Sequence, residues 1–242
     1  VDKVRSIDNA SGPAYEVMGR TSWIYEHDFE KAEAFFLRAM ELMPGYDVTY
    51  GSYAWMKYVT GDFEGAKELQ RKAINLNPLN SGYHAVLAEI YLIGGELDSA
   101  IIYYDENLRL FPDDIYSTWG LGIAYGFGGE YDKAIDLINN IPGYEDQNFG
   151  TAYFAVMNGD TAYAKSILDI HLDLNKQDPN GWKWPTAVIY TALGQDEKAI
   201  DLLTETPNDL MYCALWFESL RTNPRFQQLL QNNGFDPSSY PN

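Results

Sequence analysis

Three stretches of this chain can be laid over one another without a gap: DFEKAEAFFLRAMELMP, DFEGAKELQRKAINLNP and ELDSAIIYYDENLRLFP. They set the small residues Ala32, Ala66 and Ala100, and the closing prolines Pro44, Pro78 and Pro112, at steps of 34 residues. A fourth copy, EYDKAIDLINN, puts Ala134 another 34 on, and two looser copies follow at Ala164 and Ala199, spaced 30 and 35. A fixed period of this length means stacked supersecondary units, because no single unit can bury its own apolar face.

Upstream of each alanine the apolar residues fall at helical spacing, as in HAVLAEIYLIGG with Val86, Leu87, Ile90 and Tyr91. Gly61, Gly95, Gly129, Gly159 and Gly194 each precede their alanine by five residues. A glycine there supplies the left-handed residue that ends one helix, and the acid or amide after it favours the start of the next. The alanine lets the two helices approach closely, and the proline stops the second helix before the next unit begins. Each unit therefore reads as helix, tight turn, helix.

This pattern of glycine, aromatic, small residue and proline resembles the tetratricopeptide repeat over about residues 13 to 208. The third unit matches at Leu87, Ala88, Tyr91, Gly95 and Ala100, and the fourth at Leu121, Gly122, Tyr125, Gly129, Tyr131 and Ala134. The first departs at His27, where glycine is usual, and the fifth and sixth lack the closing proline at the expected place. The resemblance implies an all-α fold, a right-handed superhelix of about six hairpins whose first helices line a concave face. The expected organisation is a leader or linker over 1–12, the array over 13–208, capping helices over 209–235 and a flexible tail over 236–242.

No catalytic or metal-binding constellation emerges. WGLGIAYGFGGE has closely spaced glycines, but a dinucleotide fingerprint would need its third glycine at Tyr125, and the segment follows a helix rather than a strand. His27, His84 and His171 fall in separate units. A calcium loop starting at Asp173 would need glycine at Asp178 and glutamate at Trp184. Cys213 is the single cysteine, which excludes a disulfide within the chain, and its apolar setting reads as a small buried hydrophobe. The sequence therefore predicts a non-enzymatic chain with no cofactor and no metal.

The functional surface is then the groove. The concave positions of the first helices are Trp55 and Tyr58 in the second unit, Glu89 in the third, and Tyr116, Trp119 and Ile123 in the fourth. Phe149, Tyr153 and Trp184 follow in the fifth and sixth. Such rigid aromatic faces suit recognition of a peptide or partner segment; equally, some can pack between hairpins or against a helix lying in the groove. With 17 Lys and Arg against 35 Asp and Glu, the net charge of −18 disfavours nucleic acid and anionic lipid, so a protein or peptide partner should be neutral to basic. Tetratricopeptide domains that clamp an acidic chaperone tail carry Lys, Asn and Arg in the groove; aromatics, glycines and acids stand there in this chain.

After the repeats, NDLMYCALWFESL reads as an amphipathic helix through Leu210, Met211, Ala214, Leu215 and Phe217. NPRFQQLLQNNGF follows as a lid, with Asn223 as N-cap, Pro224 at the first helical position, Gly234 as the stop, and Phe226, Leu229 and Leu230 facing inward. The string L-R-x-N-P-R-F-Q-x-L-L also resembles the close of tetratricopeptide regions in bacterial membrane-anchored regulators that carry a class III nucleotide cyclase or a winged-helix domain. That resemblance, with Val1 in place of Met, implies a non-catalytic regulatory segment of a longer signalling protein, periplasmic if membrane-anchored and cytoplasmic otherwise, with no direct membrane contact of its own. The alternatives are a scaffold that self-associates through the array, as in a homodimer, and a regulatory domain whose enzyme lies outside this chain.

Overall fold

The computed structural model describes residues 11–143, 148–178, 181–206 and 213–233, with the side chains of Cys213 and Ala214 outside the description. Most of the expected leader, the tail, Leu210, Met211 and Gly234 fall outside the described residues.

The described chain is helical throughout, and its helices pair in sequence order. The hairpins are α1 (Gly12–Tyr25) with α2 (Phe29–Leu42), α3 (Asp47–Val59) with α4 (Phe63–Leu76), and α5 (Ser81–Ile93) with α6 (Leu97–Leu110). They continue as α7 (Ile115–Phe127) with α8 (Tyr131–Asn139), α9 (Phe149–Met157) with α10 (Thr161–Gln177), and α11 (Lys183–Ala192) with α12 (Asp196–Thr204). Each second helix also packs on the first helix of the next hairpin, so the six units stack into a solenoid with one continuous core.

The repeat residues do what their spacing predicts. Ala32, Ala66, Ala100, Ala134, Ala164 and Ala199 are all fully buried. The turn glycine has positive φ in every case, from 69° at Gly194 to 93° at Gly159. His27 takes the same left-handed conformation (φ 52°), so the missing glycine changes the residue and not the turn. Asp28, Asp62 and Asp160 cap the following helices, each accepting from the backbone N–H three residues on, at 2.9–3.0 Å. Glu96, Glu130 and Gln195 occupy the same place without a side-chain cap.

The prolines act one residue upstream. Met43, Asn77 and Phe111, each preceding a proline, leave the helix at φ −133° to −144° and ψ 73° to 77°, as steric conflict with a proline ring demands. In the fifth hairpin the next proline is Pro179, and α10 accordingly runs 17 residues, against 14 for α2, α4 and α6. The extra turn accounts for the loss of repeat register there. It also places Asp169 and Asp173 on a helix, which is incompatible with a calcium loop.

Beyond the array, the expected helix over 208–220 is described only as α13 (Cys213–Trp216) followed by a 3-10 turn (Glu218–Leu220). The short helix carries Trp216 and Phe217 into the core, both nearly fully buried. Then α14 (Pro224–Asn232) opens at Asn223, whose side chain accepts from Arg225 N at 2.9 Å. It buries Phe226 and Leu230 and leaves Gln227, Gln228 and Gln231 outside, while Arg225 bridges to Glu197 and Asp201 of α12. The last hairpin is thus covered by an amphipathic lid with a polar outer face.

Because Ala100 has no free surface at all, Ala100→Leu should overpack the α5–α6 contact and lower stability by about 1–3 kcal/mol in chemical denaturation. An unchanged unfolding midpoint would contradict the packing described.

Candidate functional site

The first helices of hairpins two to six present their side chains along one concave face. Two cavities lie there side by side. The larger, about 400 Å³, is lined by Glu89, Tyr116, Trp119, Ile123, Phe149 and Trp184 of the expected groove. The smaller, about 340 Å³, is lined by Trp55 and Tyr58 and again by Glu89 and Tyr116, which form the partition between the two. Tyr153 lies outside both, packed against Phe127, Phe154 and Trp216.

The partition is a hydrogen-bonded set. The Tyr116 hydroxyl donates to Glu89 Oε2 at 2.6 Å, and the Tyr58 hydroxyl donates to the same oxygen at 3.3 Å. Among the described residues no group donates to Glu89 Oε1. Burial pushes the Glu89 carboxyl above the usual carboxylate range, against the two tyrosine bonds that favour its ionised form. The same burial, with the Glu89 charge beside it, drives the Tyr116 phenol far upward, so it stays a donor at any physiological pH. In the smaller cavity the cation Arg20 is already held by Glu16 at 2.7 Å, and Ser52 donates to that carboxylate at 2.6 Å.

The wall of the larger cavity includes residues that sequence reasoning missed: Leu92 and Ile93 of α5, Tyr104 of α6, Pro185 of α11, and Leu215 and Trp216 beyond the array. Tyr104 belongs to a second helix and reaches the groove because Gly120 has no side chain; a Cβ there would run into the tyrosine ring. That glycine was the available signal. Trp216 inserts among Phe127, Phe149 and Tyr153 of hairpins four and five, with ring centroids 5.2–5.3 Å away, and forms part of the cavity wall. Nothing in the periodicity marks it, because it arrives from outside the repeats. Phe149 and Tyr153 therefore divide between the two uses open to them: Phe149 faces both the cavity and Trp216, while Tyr153 serves packing. The Trp119 indole N–H is buried with no acceptor among the described residues, a cost the packing must offset.

The other singled-out residues are structural. His84 Nε2 sits 2.9 Å from the Pro78 carbonyl, and His171 is buried against Trp182. Gly122 and Gly126 are close-packing positions, where a Cβ would meet Ile138 and Phe154. Among the described residues no cluster of three or more His, Cys, Asp or Glu is placed to hold a metal, and no helix is long and apolar enough to cross a membrane.

This architecture has known counterparts. A TPR repeat-containing protein of Methanocaldococcus jannaschii is 25% identical over 219 residues, covering 84% of this chain; the chain spans only 38% of that relative's length. Among solved structures, the APC/C hetero-tetramer Cut9–Hcn1 superposes with a TM-score of 0.64 at 14% identity, over 96% of this chain and 44% of that one. Pseudomonas aeruginosa PilF gives 0.57 at 16% identity, over 79% of this chain and 85% of that one. No family model matches the sequence. The chain has the tetratricopeptide-repeat fold, and its six hairpins are tetratricopeptide-like repeats.

Ionised Glu89 in a half-buried apolar setting costs stability at neutral pH. Its raised value means that the folded chain holds the proton more tightly than the unfolded one. The protonated form's contribution is thus complete below the ordinary glutamate value of about 4.3 and is lost as pH rises through the raised value. Glu89→Gln should therefore melt above the wild type at pH 7, with the gap narrowing as the pH is lowered toward 4. A variant that melts lower by the same margin at every pH would contradict this.

Proposed function

We propose that this tetratricopeptide-repeat chain is a non-catalytic interaction module that holds an extended segment of a protein partner along its concave face. The observation that carries the reading is the pair of adjoining cavities on that face. Both are walled by aromatic rings on rigid helices, and they share the Glu89–Tyr116 partition. A run of pockets separated by a side-chain partition suits successive side chains of an extended peptide, and aromatic walls bury area with little loss of rotamer freedom. The acidic field of the chain favours a neutral to basic segment.

The finer part of the proposal concerns context. The LRTNPRFQQLL ending is similar to the close of repeat regions in bacterial membrane-anchored regulators, and it forms the lid described above. It supports a role as the regulatory segment of a longer signalling protein, in which partner binding is sensed and not chemically processed.

Peptides selected from a random display library on the wild-type chain should bind Trp119→Ala at least about tenfold more weakly. They should bind the convex-face variant Ile102→Ala normally, with both variants keeping their helical circular dichroism. Selected peptides that bind Trp119→Ala as well as the wild type would remove the groove from consideration.

A further inference from the structure

The larger cavity is mostly apolar, and Glu89 is the only charged side chain among its described lining residues. Its Oε2 is occupied by the hydroxyls of Tyr58 and Tyr116, while Oε1 receives nothing from the described residues. Glu89 is only partly buried, so this second oxygen is open to a cation entering the cavity, and the apolar surroundings strengthen the attraction between them. The rings of Tyr116, Trp119, Phe149, Trp184 and Trp216 around the same space offer faces and edges to that group.

Resting on the peptide-groove reading, we propose that this cavity is the pocket for a lysine side chain of the bound segment, with Glu89 as its counter-ion. The aromatic walls take the four methylenes, and the faces of the rings favour the ammonium as a cation–π partner. Ammonium fits better than guanidinium. An arginine fork matches a carboxylate through both oxygens, and Oε2 already accepts two hydroxyls. The ammonium is a compact charge that one open oxygen can satisfy. A volume of about 400 Å³ is at the small end for ligand pockets, enough for one long side chain with its flanking backbone. The neighbouring cavity does not compete for the cation, because Arg20 already stands in its wall.

The experiment uses two peptide-like probes that share a four-carbon side chain and differ in the terminal ammonium, N-acetyl-lysine methylamide and N-acetyl-norleucine methylamide, titrated against the full chain with tryptophan fluorescence as readout. The wild type should bind the lysine probe at least about tenfold more tightly than the norleucine probe, and added salt should weaken only the former. Glu89→Gln should bring the two affinities together, chiefly by loss of lysine binding. Equal affinities in the wild type, or a lysine preference that survives both salt and Glu89→Gln, would overturn the proposal. The salt arm needs no variant and so stands even if Glu89→Gln folds poorly. If neither probe binds, the lysine pocket is wrong. Display-selected peptides that still lose affinity on Trp119→Ala would then leave the groove reading intact, so the two failures can be told apart.

Discussion

Everything in this molecule depends on how closely the two helices of each hairpin can approach. The approach is set by one small side chain per unit, the alanine at 32, 66, 100, 134, 164 and 199, which is fully buried every time. A larger residue there would push the second helix outward, and the next hairpin, which rests on that helix, would move with it. The turn just before the alanine is equally constrained, since its last residue must enter the left-handed region. Small residue and turn together fix the angle at which the units stack, and with it the curvature of the concave face.

The groove inherits its chemistry from that regularity. Successive first helices present equivalent positions: Trp55, Glu89 and Ile123 follow one another at steps of 34, while Trp119, Phe149 and Trp184 share a second position about one turn earlier in their helices. The exceptions are local and have identifiable causes. Gly120 lets the Tyr104 ring come through from the second-helix layer. A displaced proline lengthens α10. Trp216, which comes from beyond the repeats, packs onto the rings of hairpins four and five and supplies part of the cavity wall. Within that wall Glu89 is the single charged side chain among the described residues, with the hydroxyls of Tyr58 and Tyr116 on one of its oxygens.

How much of this was legible depended on whether a feature repeats. The hairpin count, the turn glycines, the buried alanines and the lid at Phe226 and Leu230 follow from periodicity, capping chemistry and an amphipathic stripe. The lining residues of the first helices were legible for the same reason, and all but Tyr153 reach a cavity. What periodicity could not convey is where a non-repeating segment goes. The stretch before the lid reads as one amphipathic helix, whereas among the described residues the helix ends at Trp216 and a 3-10 turn follows, with Trp216 in the cavity wall. Ile93 and Pro185 escaped because they border the cavity from positions off the expected concave line, whereas Leu92 stands 34 residues after Tyr58, a place the periodicity could have marked.

The central claim is that the concave face is where a partner segment is held. Hydrogen–deuterium exchange, with and without a display-selected peptide, reads this directly across the chain. Added protection should concentrate in the first helices α3, α5, α7, α9 and α11, strongest around Tyr116–Ile123, while α2, α4 and α6 exchange as in the free chain. Protection confined to those second helices would place the partner on the convex side and contradict the account.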